Sequence, residues 1–152
     1  MKEKSTLTLI LSFAFMHGLT LIFSYFIVAV LNAEEWDDWA ILILSAVTGL
    51  LHCAVMFIFA NAEAYRDRLR VERKQLKKKT PSKGVVAALI FIFPLFAMYA
   101  QGMSYEPIFN LYRSLNFQYI GIMTYLEEVH RLFTGIVMLA PVTAAILGYA
   151  VG

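Results

Sequence analysis

Apolar residues occur in four long runs separated by short polar or charged segments, and this pattern predicts four membrane-spanning helices. The runs cover residues 5–31, 39–60, 84–102 and 132–151. A helix needs about 20 apolar residues to cross a bilayer, and each run has close to that length. The segments between them are too short to form a separate domain with its own core. The sequence therefore predicts an all-α integral membrane protein, a single four-helix domain over residues 1–152, in the plasma membrane or a bacterial inner membrane.

Polar residues interrupt the first two runs at mirrored spacings. The first run carries His17, Thr20 and Ser24, and the second carries Ser45, Thr48 and His52. Spacings of three and four residues place each set on one helix face. If the two helices are antiparallel neighbours, Ser24 lies near the depth of Ser45, Thr20 near Thr48 and His17 near His52. Polar groups in hydrocarbon are costly and usually have a role.

This polar seam has three interpretations. The leading one is helix packing through interhelical hydrogen bonds. Alternatively, two histidines at one depth suit the axial ligands of a b-type haem. They also suit a proton or ion pathway, because imidazole titrates near neutral pH. No residue pattern indicates an enzyme active site, and the leading prediction has no cofactor.

The distribution of charge predicts the orientation of the helices. Residues 62–84 contain nine basic and three acidic residues, a local net charge of +6 on a chain whose total is +2. Loops rich in lysine and arginine stay in the cytoplasm. The connection at 33–39 instead contains four acidic residues and two tryptophans. We therefore expect both termini and the basic loop 62–84 in the cytoplasm, and the segment 103–131 outside.

The basic loop begins with a helical pattern, because Tyr65, Leu69 and Leu76 follow spacings of four and seven residues. The second helix should therefore continue beyond the membrane. Its expected contacts are anionic lipid head groups, a second copy of the chain, or a soluble cytoplasmic partner. Nucleic acid is not expected, because no aromatic residues alternate with the basic ones to stack on bases. The residues assigned to these contacts are Tyr65, Arg66, Leu69, Arg70, Arg73, Lys77 and Lys78.

The external segment contains a second helical pattern. From Tyr105 to Val129, apolar residues recur at alternating spacings of three and four, with Gly121 as a possible break. This stripe predicts an amphipathic helix before the fourth span, lying in the outer membrane interface or capping the bundle.

At the end of that segment, Glu127, His130 and Arg131 form a Glu-x-x-His-Arg motif. Over these few positions the chain resembles the start of a transmembrane helix in haem A synthases. The external cysteines and repeated helix pairs of that family are absent from this sequence. On their own chemistry, Glu127 and His130 share a helix face and can form a hydrogen bond. We interpret the three residues as polar anchors at the outer surface.

Together these patterns favour a non-enzymatic membrane subunit that oligomerises or assembles with other membrane subunits. It would anchor or sense through the basic cytoplasmic helix and the external aromatic helix. The first alternative is a redox or quinone anchor subunit that binds haem b through His17 and His52. The second is a small oligomeric ion or proton channel.

Overall fold

A computed structural model describes residues 6–31, 36–73 and 82–152, and the described residues are mainly helical. The α-helices are α1 (Thr6–Val30), α2 (Asp38–Glu72), α3 (Ser82–Gly102), α4 (Glu106–Leu115), α5 (Ile120–Val129) and α6 (Leu139–Val151). Short 3-10 helices occupy Phe117–Tyr119 and Arg131–Met138.

Four helical segments are long and apolar enough to cross a membrane: α1, α2, α3 and Arg131–Val151. The predicted four-span membrane protein is confirmed at this level. The fourth span differs in detail, because it begins as a 3-10 helix and becomes α-helical only at Leu139. α2 continues for twelve residues past Ala60, where its apolar run ends. The segment 62–84 is therefore largely helical where the structure describes it, since α3 already begins at Ser82.

Two buried apolar clusters hold the helices together. The first lies at the basic end of the bundle, the end that carries Arg66 and Lys83, and joins α1, α2, α3 and α6 around Phe13, Met56 and Tyr149. The second lies towards the opposite end around Tyr99 and Tyr112. Gly148 brings α6 onto the α2 backbone at Phe57, where a larger side chain would clash.

The segment 103–131 is divided into two helices, but the division lies before Gly121, the possible break that the sequence indicates. It forms a helical hairpin: α4 packs on α3, α5 packs on α2, and residues 116–119 join them. The break is at Asn116, whose side-chain amide donates to Tyr112 O at 3.0 Å and so satisfies a carbonyl at the end of α4. Gly121 is not the break. It lies within α5, where an added Cβ would be 2.6 Å from Ile41 O.

The tip of this hairpin lies deep along α2. It contacts Thr48 and His52, which follow the α2 residue Asp38 by about 10 and 14 positions, or about 15 to 21 Å along the helix. If a hydrocarbon core about 30 Å thick begins near Asp38, the tip lies near the middle of that core. The hairpin thus fills space between the spanning helices rather than lying over them.

Candidate functional site

The two histidines of the polar seam are in contact. His17 Nδ1 lies 3.3 Å from His52 Nε2, and the ring centroids are 4.9 Å apart. Both side chains are buried, with 8% of His17 and none of His52 exposed. The mirrored spacing predicts that His17 and His52 lie at one depth, and in the structure these two side chains are in contact.

The tip of the hairpin supplies the remaining partners of this pair. His17 Nε2 lies 2.9 Å from Leu115 O, and His52 Nδ1 lies 3.0 Å from the Tyr119 hydroxyl. The Gln118 amide nitrogen is 3.3 Å from His52 Nδ1. Sequence reasoning missed these three residues. The local sequence gives little signal for them, because Leu115 and Tyr119 belong to the apolar stripe and Gln118 lies off it.

These contacts determine which histidine nitrogens carry protons. Leu115 O can only accept, so His17 Nε2 must donate, and Nδ1 of the neutral ring is then an acceptor. His52 Nε2 therefore donates to His17, which leaves His52 Nδ1 to accept from Tyr119 and Gln118. Cys53 Sγ lies 3.6 Å from the Tyr119 hydroxyl and continues the chain. The result is one directional hydrogen-bond chain from Cys53 to Leu115 that requires no charged ring.

The seam hydroxyls bond to the hairpin or to their own helices. Thr48 donates to Gln118 O at 2.6 Å, and Ser45 accepts from the Ile122 amide at 3.3 Å. Thr20 and Ser24 bond to carbonyls within α1. Among the described residues, the structure gives no hydroxyl bond that joins α1 directly to α2. The expected seam therefore has three parts: the histidines join α1 directly to α2, and the tip of the hairpin bonds to the α2 hydroxyls.

One polar atom in this region has no partner. Gln118 is fully buried, and its Oε1 makes no hydrogen bond to any described residue. Such an unsatisfied acceptor costs about 1–3 kcal/mol. Turning the amide over would not help, because Oε1 would then face His17 Nδ1 and His52 Nδ1, which are both acceptors.

The geometry does not suit a haem between the histidines. If each metal–nitrogen bond is about 2 Å, as in zinc–histidine sites, two axial nitrogens lie on the order of 4 Å apart across the metal. Here the facing nitrogens are 3.3 Å apart and hydrogen-bonded. The Gln118 amide also occupies the space beside both rings. The haem alternative would require the hairpin tip to move away.

One face of the basic end of α2 buries three charged side chains, those of Glu63, Asp67 and Arg70. Asp67 accepts hydrogen bonds from Arg70 at 2.9 Å, Lys83 at 2.9 Å and Tyr149 at 2.8 Å, which joins α2, α3 and α6. Glu63 is buried as well and pairs with Arg66. Arg70 thus differs from its predicted role as a lipid or partner contact. Because α6 packs along this face, Arg70 points into the bundle.

The opposite face of the basic end of α2 is exposed. Tyr65 is 53% exposed, Leu69 is partly exposed, and Arg66 and Arg73 are exposed. Lys77 and Lys78, which complete the predicted contact surface, lie outside the described residues, as does Leu76.

The three residues at the end of the hairpin do not form one site. Glu127 pairs with Arg113 at 3.1 Å. His130 follows the end of α5 and accepts from the Leu132 amide, which caps the next 3-10 helix. Arg131 pairs with Glu106 at 2.9 Å and lies over the Phe109 ring. The predicted Glu127–His130 hydrogen bond is replaced by these contacts, because the chain becomes extended at His130.

In comparisons with known proteins, no family model matches this chain, and neither does any curated protein or solved structure. Its function must therefore be argued from its own residues.

Proposed function

We propose that this protein is a non-enzymatic membrane subunit that assembles with a second copy of itself or with other membrane subunits. The supporting observation is the uncovered face of α2 beyond Ala60, which carries Tyr65 and Leu69. There the helix buries Glu63, Asp67 and Arg70, and it leaves Tyr65 53% exposed. An apolar face on an extended helix is the usual form of a helix–helix contact.

The proposed orientation places this helix in the cytoplasm, together with both termini. Arg66, Arg68 and Arg73 are exposed beside Tyr65, and each basic residue near an anionic membrane surface contributes about 1 kcal/mol. Anionic lipid head groups would then orient the helix while its Tyr65 face contacts a partner. The plasma membrane or a bacterial inner membrane suits this arrangement. A soluble cytoplasmic partner is the alternative occupant of the same face.

Light scattering of the purified protein in detergent tests the assembly. We expect a detergent-corrected mass of more than one chain, or a co-purifying membrane subunit. Tyr65→Ala combined with Leu69→Ala should reduce the mass to one chain. Ile58→Ala is the matched control, because Ile58 is 65% exposed on the apolar part of the same helix. A native protein that is a single chain without a partner would contradict the proposal.

A second candidate function is proton transfer, and the hydrogen-bond chain from Cys53 through Tyr119, His52 and His17 favours it. A neutral imidazole in such a chain can take a proton at one nitrogen and release one from the other. Because Leu115 O cannot take up the proton, His17 would release it to water after its bond to Leu115 opens. The test is proton flux into vesicles that contain the protein. A flux that His52→Gln abolishes in a folded protein would favour this function over simple assembly, because glutamine cannot titrate near neutral pH.

A further inference from the structure

A cavity of about 440 Å³, open on one side at the surface, lies between α1, α2 and α5 at the end of the bundle away from Lys83. It runs along α2 from Asp38 to Thr48, which is about 15 Å at 1.5 Å per residue. Its volume falls within the range of roughly 300–1,000 Å³ typical of small-molecule sites. The walls are apolar and aromatic, and include Val28, Leu42 and Phe117.

The inner end of the cavity offers hydrogen-bond acceptors. Ser24, Ser45 and Thr48 line it and are each at most 5% exposed. Their hydroxyl protons are already used: Ser24 donates to Thr20 O at 2.8 Å and Thr48 to Gln118 O at 2.6 Å. A hydroxyl that donates one bond retains acceptor capacity on its oxygen. The inner end can therefore accept a hydrogen bond from a ligand but has little left to donate.

The mouth of the cavity is acidic. Asp38 and Glu128 line it, and neither has an ion-pair partner among the described residues. Arg113, which bonds to the lining residue Thr124, is paired with Glu127 at 3.1 Å. The carboxyl end of α5 adds partial negative charge beside Glu128. The positive end of the α2 dipole is offset by Asp38 in its first turn.

We propose that this cavity binds an organic ammonium ion with an apolar body. The cation lies at the mouth between Asp38 and Glu128, beside the Trp39 ring, where carboxylates and an aromatic face both attract it. The apolar body extends between α1 and α2 towards Thr48, and a donor at its far end reaches the hydroxyl oxygens there. Neutral or anionic amphiphiles of the same length bind less well, because the mouth attracts only positive charge.

Trp39 fluorescence provides the test, since Trp36→Phe leaves Trp39 as the only tryptophan. The full chain in nanodiscs is titrated with decylammonium, decanol and decanoate. An alkylammonium remains protonated at pH 7, as a lysine side chain does. We expect a saturable change with decylammonium that is much weaker with decanol and absent with decanoate. Equal responses to all three probes would show that the cavity accommodates any alkyl chain, and would overturn the proposal.

Two variants separate binding in the cavity from partition into lipid. Asp38→Asn with Glu128→Gln should weaken decylammonium binding roughly 2- to 30-fold, as expected for two partly exposed ion pairs. The control Glu72→Gln, an exposed acid at the far end of α2, should have no effect. Val28→Phe fills the cavity and should abolish the saturable change, whereas Val30→Phe, on the exposed side of α1, should preserve it. A response that persists in Val28→Phe would place the probe outside the cavity and refute the proposal.

Discussion

At the residue scale, the histidine pair shows how polar groups are stabilised in the middle of this bundle. Each ring nitrogen of His17 and His52 has a partner, and the chain of donors and acceptors is complete without an ionised group. A buried polar group is tolerated when it is hydrogen-bonded and costly when it is not. The sequence predicted the pair from its spacing. It could not predict the contact with Leu115, because that contact is made by a backbone carbonyl, a group that every residue has.

The first prediction concerns His52. His52→Gln should lower the free energy of unfolding by about 0.6 kcal/mol, the average measured for interhelical hydrogen bonds in a membrane, because the amide still reaches some of the partners. His52→Leu should cost more, about 1–3 kcal/mol, because Tyr119 and Gln118 then lose a buried acceptor. Unfolding by SDS in mixed micelles measures both. Equal losses in the two variants would show that hydrogen bonding at this position contributes nothing.

The second prediction concerns Asp67, which is buried with Arg70 and Lys83. Asp67→Asn removes the negative charge but not the two cations, and breaking a buried ion pair in this way costs about 3–5 kcal/mol. Tyr149→Phe removes the hydrogen bond to the same carboxylate but leaves all three charges in place, and should cost about 1 kcal/mol. The same SDS titration ranks the two variants. A loss in Tyr149→Phe as large as that in Asp67→Asn would contradict the assigned role of the charge.

At the element scale, sequence reasoning succeeded where length and hydropathy decide the structure. Such patterns are sufficient for the four apolar helices and for the continuation of α2 to Glu72. They failed for the hairpin. An apolar stripe with a 3–4 spacing is the same whether the helix lies on a membrane surface or packs between other helices. The turn at Asn116 and the burial of Gln118 depend on contacts with α1 and α2, which the local pattern does not contain.

The third prediction tests the packing of the hairpin on α2. At Gly121 an added Cβ would be 2.6 Å from Ile41 O, a backbone atom that cannot move aside. Gly121→Ala should therefore destabilise the protein by about 1–3 kcal/mol, the usual cost of overpacking. Gly18→Ala is the matched control, because an added Cβ there meets nothing within 4 Å. That change should be neutral or stabilising by up to about 1 kcal/mol through helix propensity. Similar stabilities for the two variants would show that α5 does not pack closely on α2.

At the scale of the whole molecule, the hairpin changes the argument for assembly. From the sequence alone, four helices offer little interior in which to bury so many aromatic and small residues. In the structure the hairpin supplies that interior within one chain, and Tyr112, Tyr119 and Met123 are almost completely buried. The case for assembly therefore depends on the exposed Tyr65 face of α2. The aliphatic residues exposed along α1 and α3 are explained by contact with lipid.

The last prediction is the orientation of the bundle, tested by cysteine labelling after Cys53→Ser removes the only native thiol. The net charge of +6 over residues 62–84 predicts that Glu72 and Lys78 face the cytoplasm and that Trp36 faces outside. The same charge rule places Tyr112 outside and Gly152 in the cytoplasm. Both are buried in the structure, so Tyr105, which is 57% exposed, is the better external probe for this test.

A membrane-impermeant maleimide should label cysteines at positions 36 and 105 on intact cells, and should label those at 72 and 78 only after the cells are opened. Labelling of position 72 from outside would contradict the predicted orientation. That orientation depends on the positive charge of the short loop, which is the main determinant of which side a loop faces. The result also decides which compartment the acidic mouth at Asp38 faces. With Trp36 outside, an ammonium ligand reaches the cavity from the external medium or the outer leaflet, while the Tyr65 face of α2 meets its partner on the cytoplasmic side.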